Sequence, residues 1–337
     1  MGTPVDTALI LLILTVSLTL VFDFINGFHD SANAIATVVS TKVLSPKAAV
    51  LMSSVLNLGG ALVGTAVATT IGKGLVETST ITIGTILCTV IAAIAWNLIT
   101  WYKGLPSSSS HALIGSLLGA TVASGGNWDS IQFDQLIEKV IIPMVLSPVF
   151  GIIIGFIIML ALTWMVYKRP LGQTNSLFGR LQLLSAAFMA LNHGQNDAQK
   201  SMGIIALALL LLNPTEAFQV PLWVKLACAL AMCLGTMSGG WRIIRTLGSK
   251  VIKLQPIHGF AAETAASLII AGASHFGIPL STTHVISSSI MGVGAAKRFS
   301  AVHWSVVGTI VWAWVLTIPF TFLLAAIIMK AYGAAFE

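Results

Sequence analysis

One pattern occurs twice in this chain, and the repetition constrains the fold more than any other feature. Gly27-Phe28-His29-Asp30-Ser31-Ala32-Asn33 returns 167 residues later as Gly194-Gln195-Asn196-Asp197-Ala198-Gln199-Lys200. Behind each copy, after further apolar stretches, a proline precedes a hydroxyl run that ends in histidine. These runs are Pro106-Ser107-Ser108-Ser109-Ser110-His111 and Pro279-Leu280-Ser281-Thr282-Thr283-His284, 173 residues apart. The register drifts by only a few residues, so the two halves are expected to be copies of one structural unit.

The motifs lie in an apolar background. Of 337 residues, 56% are hydrophobic and 8% charged, whereas a soluble domain carries roughly 25% charged residues. Runs long enough for about 30 Å of hydrocarbon recur from end to end. The expected class is an all-α polytopic membrane protein, because helices satisfy their own backbone groups in lipid. Leu9 to Phe22 is not preceded by Lys or Arg, and Met1 to Thr7 hold Asp6 instead. That segment therefore reads as a mature span rather than a signal peptide. The net charge of +6 resides in short loops, so the bilayer, not nucleic acid, is the expected partner. Cys88, Cys228 and Cys233 sit in apolar segments and read as packing residues.

Five passes are expected in the first repeat, residues 1–166. They are 8–40, interrupted near Asn26 to Asp30, then 48–71, 81–102, 106–123 opening at the serine run, and 138–166, kinked by Pro143 and Pro148. A short cytoplasmic linker, 167–180, leads to the second repeat, 181–337. Its passes are 181–212, interrupted near His193 to Asp197, then 221–238, 257–273, the stretch opened by Pro279, and 303–330. Five is odd, so the second copy must enter the membrane upside down. With the N-terminus outside, cytoplasmic loops hold Lys42, Lys47, Lys103, Lys168, Arg169, Arg180, Arg242, Arg245, Lys250, Lys253, Lys297 and Arg298. That is twelve of the 17 basic residues, as the positive-inside rule requires. Both termini are then extracytoplasmic.

Inverted repeats with broken or re-entrant helices mark secondary transporters, whose sites lie near the bilayer midplane. Four interruptions are expected, at Asn26-Gly27, Leu105-Pro106, His193-Gly194 and Ile278-Pro279. Helix N-termini offer free N–H groups and a partial positive charge. With the hydroxyls of Ser108, Ser109, Ser110, Ser281, Thr282 and Thr283, the backbone at Gly27 and Gly194, and Lys200, they suit a tetrahedral oxyanion. Asp30 and Asp197 hold matched positions beside Asn26, Asn33 and Asn196. Carboxylate and amide oxygens bind a small hard cation, and a carboxylate at depth costs at least about 2.5 kcal/mol on insertion scales, which marks it as functional. Anion and cation lower each other's desolvation cost, which is the physical basis of symport. Glu263 is a third buried acid without a counterpart, since Val90 to Trp96 contain none.

These motifs resemble those of the inorganic phosphate transporter (PiT) family over nearly the whole chain. The resemblance implies sodium- or proton-coupled phosphate symport and a homodimer, in a plasma (inner) membrane. It assigns the oxyanion set to phosphate and Asn26, Asp30, Asn33, Asn196, Asp197 and Glu263 to sodium. His111 and His284 are expected to orient the hydroxyl runs by hydrogen bonding. No cofactor is expected, since phosphate and sodium are cargo. Related permeases move sulfate, which remains an alternative anion. A Ser/His/Asp hydrolase is disfavoured, because each His directly follows its hydroxyl run and i,i+1 neighbours on a helix do not face each other.

Overall fold

The computed structural model describes residues 4–125, 127–215 and 217–336. Met1 to Thr3 and Glu337, on which the expected placement of the termini falls, lie outside the described residues. The first half contains α1 (Pro4–Ser40), α2 (Pro46–Ala61), α3 (Ala66–Lys73), α4 (Ile83–Lys103), α5 (Ser109–Ala123), α6 (Phe133–Leu136) and α7 (Ile142–Val166). Then follow α8 (Leu171–Leu212), α9 (Leu222–Ser238), α10 (Trp241–Arg245), α11 (Pro256–His275), α12 (Thr282–Lys297) and α13 (Trp304–Phe336). Among the described residues the β pairing is a single isolated bridge, Val76 to Ile131. The stretch expected as a linker is helical from Leu171 onward.

The element order recurs: a long helix, a bent pair, a helix, a short helix behind a break, and a long closing helix. α2 and α3 meet at 68°, and α9 meets α10 with its following turn at 59°. The two hydroxyl runs start their helices alike. α4 ends at Gly104 (φ 65°), and α11 is followed by Gly277 (φ 66°), both in the left-handed region where glycine carries no Cβ penalty. Leu105 N–H then bonds Thr100 O and Ile278 N–H bonds Ala273 O, each at 2.9 Å. Ser108 and Ser281 cap α5 and α12, accepting from the His111 and His284 N–H groups, both at 3.2 Å. Pro106 and Pro279 thus stand two residues before the cap rather than in the first turn.

Two of the four expected interruptions are absent. α1 runs unbroken through Asn26-Gly27, and α8 runs unbroken through His193-Gly194. The glycines there permit close crossing, not unwinding. A Cβ on Gly27 would lie 2.4 Å from Met232 O, and one on Gly194 would lie 2.2 Å from Asn57 O. Their N–H groups stay in the helical ladder, so they give a phosphate no free donors.

Where ten passes are expected, four runs among the described residues are long and apolar enough to cross a membrane alone, and up to six if each bent pair is one span. α5 and α12, with 15 and 16 residues, reach only about 23 Å at 1.5 Å per residue. α8 carries buried polar side chains from Gln182 onward and is mostly enclosed between Met189 and Ala208, and α11 is mostly buried, although Leu184 and Phe188 of α8 and Leu268 of α11 stay exposed. Exposed apolar surface is extensive on α7 and α13, where Ile157, Leu160, Trp312 and Leu323 are exposed. α5 packs on α13, and α12 packs on α7, so each short helix rests on the closing helix of the other half. Gly115 and Gly119 approach the α13 backbone, while Gly292 approaches that of α7.

Candidate ion-binding site

The unbroken α1 and α8 cross at the centre and turn their acidic motifs toward the starts of α5 and α12. Asp30 and Asp197 come together there. With His193, each brings a ligand atom within 4.8 Å of the others. Thr282 Oγ1 donates to Asp197 Oδ2 at 3.0 Å, and Thr283 Oγ1 donates to Asp30 Oδ1 at 3.4 Å. Asn33 Nδ2 donates to both hydroxyls, at 3.1 and 2.9 Å. Lys200 Nζ bonds Asp197 Oδ1, Ser110 Oγ and Leu280 O. Ser110 Oγ donates to Leu280 O across the two breaks, at 3.1 Å. No residue whose side chain joins this set is more than 3% exposed, so the centre is closed over.

Several predicted ligands keep polar atoms without a protein partner. Both amide atoms of Asn26, Oδ1 of Asn33 and Asn196, and Oγ of Ser109 are buried without a hydrogen bond. A buried polar atom left unpaired costs about 1–3 kcal/mol. Asn26 and Asn33 stand about one helical turn before and after Asp30 on α1, so their unpaired atoms are suited to charged cargo.

Glu263 lies in a separate cage. Thr37 Oγ1 and Gln182 Nε2 donate to its Oε1, and Ser185 Oγ donates to its Oε2. His111 and His284 do not orient the hydroxyls through their rings. Their backbone N–H groups meet the capping serines, while His111 Nδ1 and both His284 ring nitrogens have no hydrogen-bond partner. The rings pack on each other and on Trp314.

Two residues escaped the sequence reading. His29 Nδ1 lies 2.6 Å from Asp30 Oδ1, and His193 Nε2 lies 3.2 Å from Asp197 Oδ2. The signal was present in the aligned copies, since His29 faces Asn196 and Asn26 faces His193 at the 167-residue offset. Each acid keeps one His and one Asn, in exchanged order.

An all-helical bundle whose enclosed polar centre joins two halves of the chain defines a polytopic membrane transporter. Comparison with known proteins specifies which kind. A model of the phosphate transporter family matches residues 26–325. A probable low-affinity inorganic phosphate transporter of Bacillus subtilis is 48% identical, covering 96% of this chain and 97% of its own. One from Rhizobium meliloti is 44% identical over 94% and 95%. A solved structure described as a sodium-dependent phosphate transporter superposes with a TM-score of 0.85 at 23% identity, over 96% of this chain and 99% of that one. The chain belongs to the phosphate transporter family, and it is a transporter rather than an enzyme.

Proposed function

We propose that the protein is a sodium-coupled symporter of inorganic phosphate, working by alternating access between two inverted repeats, 1–166 and 181–337. The observation that carries this reading is the meeting of the α5 and α12 N-termini at the Asp30–Asp197 pair. Phosphate is held by N–H and hydroxyl groups of Ser108 to Ser110 and Ser281 to Thr283. Sodium is held by carboxylate and amide oxygens of Asp30, Asn26, Asn33, Asn196 and Asp197, with Glu263 as a further acid. The solved relative described as sodium-dependent supports the choice of cation. The protein acts in the plasma membrane, with both termini outside, as a homodimer. The test is labelled phosphate uptake into proteoliposomes with sodium and proton gradients imposed separately. Accumulation driven by sodium alone supports the reading, and indifference to sodium overturns it.

Proton coupling is a second reading, and one residue favours it. Asp23 is fully buried in α1, and neither of its oxygens has a hydrogen-bond partner. The groups acting on it are Ser201, Asp197 and Lys200 from α8 and the Cys228 thiol from α9. No protein hydrogen bond reaches the Asp23 oxygens and the neighbouring thiol is no oxygen ligand for sodium, whereas a proton needs only the carboxylate.

A further inference from the structure

At the 167-residue offset the two acidic motifs match at Asp30 and Asp197 but diverge three residues later, where Asn33 stands opposite Lys200. The structure makes this a functional divergence, because both residues make the same crossing contact. Asn33 donates from α1 to Thr283 in the second hydroxyl run. Lys200 donates from α8 to Ser110, the residue equivalent to Thr283 in the first run. The side chains differ in what they bring to that point. Asn33 leaves its Oδ1 buried and unpaired beside Asp30 and the hydroxyls, which is an oxygen available to a cation. Lys200 offers no acceptor atom. It brings an ammonium, 1% exposed, onto Asp197 Oδ1, and a third bond runs to Leu280 O at 3.0 Å.

An ammonium that takes three oxygen partners, one a carboxylate, fills the role a desolvated monovalent cation would fill there. Asp197 has a donor on each oxygen, Lys200 on Oδ1 and Thr282 on Oδ2, while His193 Nε2 stands 3.2 Å from Oδ2 without a hydrogen bond. We infer that Lys200 is a tethered counter-ion, occupying in the second repeat the cation position that Asn33 leaves open in the first. This rests on the proposed cation-coupled phosphate transport and narrows it: Asp197 is met by Lys200 rather than by sodium, which leaves the mobile cation to the Asp30 side and specifies the ion count. The centre carries two carboxylates and one fixed positive charge, so each phosphate needs one mobile cation fewer than a site with asparagine in both copies. Lys200 is in this account not a phosphate ligand. It sets how many ions travel.

The discriminating variant is Lys200→Asn, which copies the Asn33 side and removes the fixed charge. Phosphate binding to the detergent-purified full chain is measured by equilibrium dialysis with labelled phosphate across a sodium series, for wild type, K200N and K200R. K200N is expected to bind phosphate with a sodium dependence steeper by one ion, losing at least tenfold in affinity at low sodium and regaining it at high sodium. K200R keeps a positive charge and is expected to keep the wild-type slope. An unchanged slope in K200N, or a steeper one in K200R, overturns the inference. Should K200N not fold, Lys200→Gln takes its place with the same expected steepening by one ion, and a steeper slope in K200R still overturns the inference. Failure of the underlying transport reading looks different, because wild type then binds no phosphate at any sodium concentration. Should wild type bind phosphate without sodium, the expected change is from no sodium dependence to dependence on one ion in K200N.

Discussion

The imidazoles of His111 and His284 meet edge-on, with ring centroids 4.7 Å apart and planes at 71°. These are matched residues of the two hydroxyl frames, so their contact fixes the starts of α5 and α12 against each other. His284 also stacks on Trp314 at 4.1 Å, and the Trp314 indole N–H donates to Pro106 O at 3.0 Å. The centre is thus pinned by ring packing where hydrogen bonding by the rings was expected. His284→Phe, which keeps a ring in place, should melt within a few degrees of wild type in detergent. His284→Ala should lose about 2–4 kcal/mol, the cost of a cavity in a closed core. Equal melting of the two variants would show that the ring contact contributes nothing.

Breaking the Lys200–Asp197 pair is expected to be worse than removing it. Asp197→Asn leaves a buried ammonium without its carboxylate, a change that costs about 3–5 kcal/mol in buried pairs. The double variant Asp197→Asn with Lys200→Met removes both charges, so it should melt above the single Asp197→Asn variant while remaining inactive in uptake. Additive losses across the cycle would show that the two groups do not interact.

Adjacent glycines in α2 give a test of the packing argument. A Cβ at Gly60 would lie 1.9 Å from Leu191 O, whereas one at Gly59 meets nothing within 4 Å. Gly60→Ala should destabilise by about 1–3 kcal/mol or more through overpacking. Gly59→Ala should be neutral or stabilising by up to about 1 kcal/mol, since alanine is the better helix former. Thermal unfolding in detergent distinguishes the two directly.

Asp23→Asn replaces a carboxyl group by a neutral group of the same shape. It is expected to abolish proton movement linked to phosphate, read as lumenal acidification in proteoliposomes holding a pH-sensitive dye. Sodium-driven phosphate uptake should stay within about twofold, because the change removes a titratable site and little packing volume. Undiminished acidification in the variant would make Asp23 a structural residue.

The hydroxyl frames were legible because their grammar is local. A glycine in the left-handed region, a proline and a capping serine are all encoded within eight residues, and the structure places both breaks there. The motif glycines were not legible in the same way. Gly27 and Gly194 read as sites of unwinding, whereas the structure uses them for close approach. What decides is the Met232 and Asn57 carbonyls of other helices, which no local pattern announces. Glu263 was recognisable as a buried acid, but its cage draws Thr37 from α1 and Gln182 and Ser185 from α8. His29 and His193 were hidden by the exchanged order of Asn and His, although aligning the two copies exposes it.

The cross-packing of α5 on α13 and of α12 on α7 also dictates an order of assembly. During synthesis α5 emerges early, yet the surface it rests on, with Thr321 and Phe322 against Gly115 and Gly119, is translated last. Until α13 arrives, the serine-bearing helix rests chiefly on α4 of its own half, with its glycine face uncovered, so the nascent first half is expected not to mature by itself. Truncation ahead of Trp304 should therefore unseat a helix nearly two hundred residues upstream, and the two halves should recover a native core only when made together.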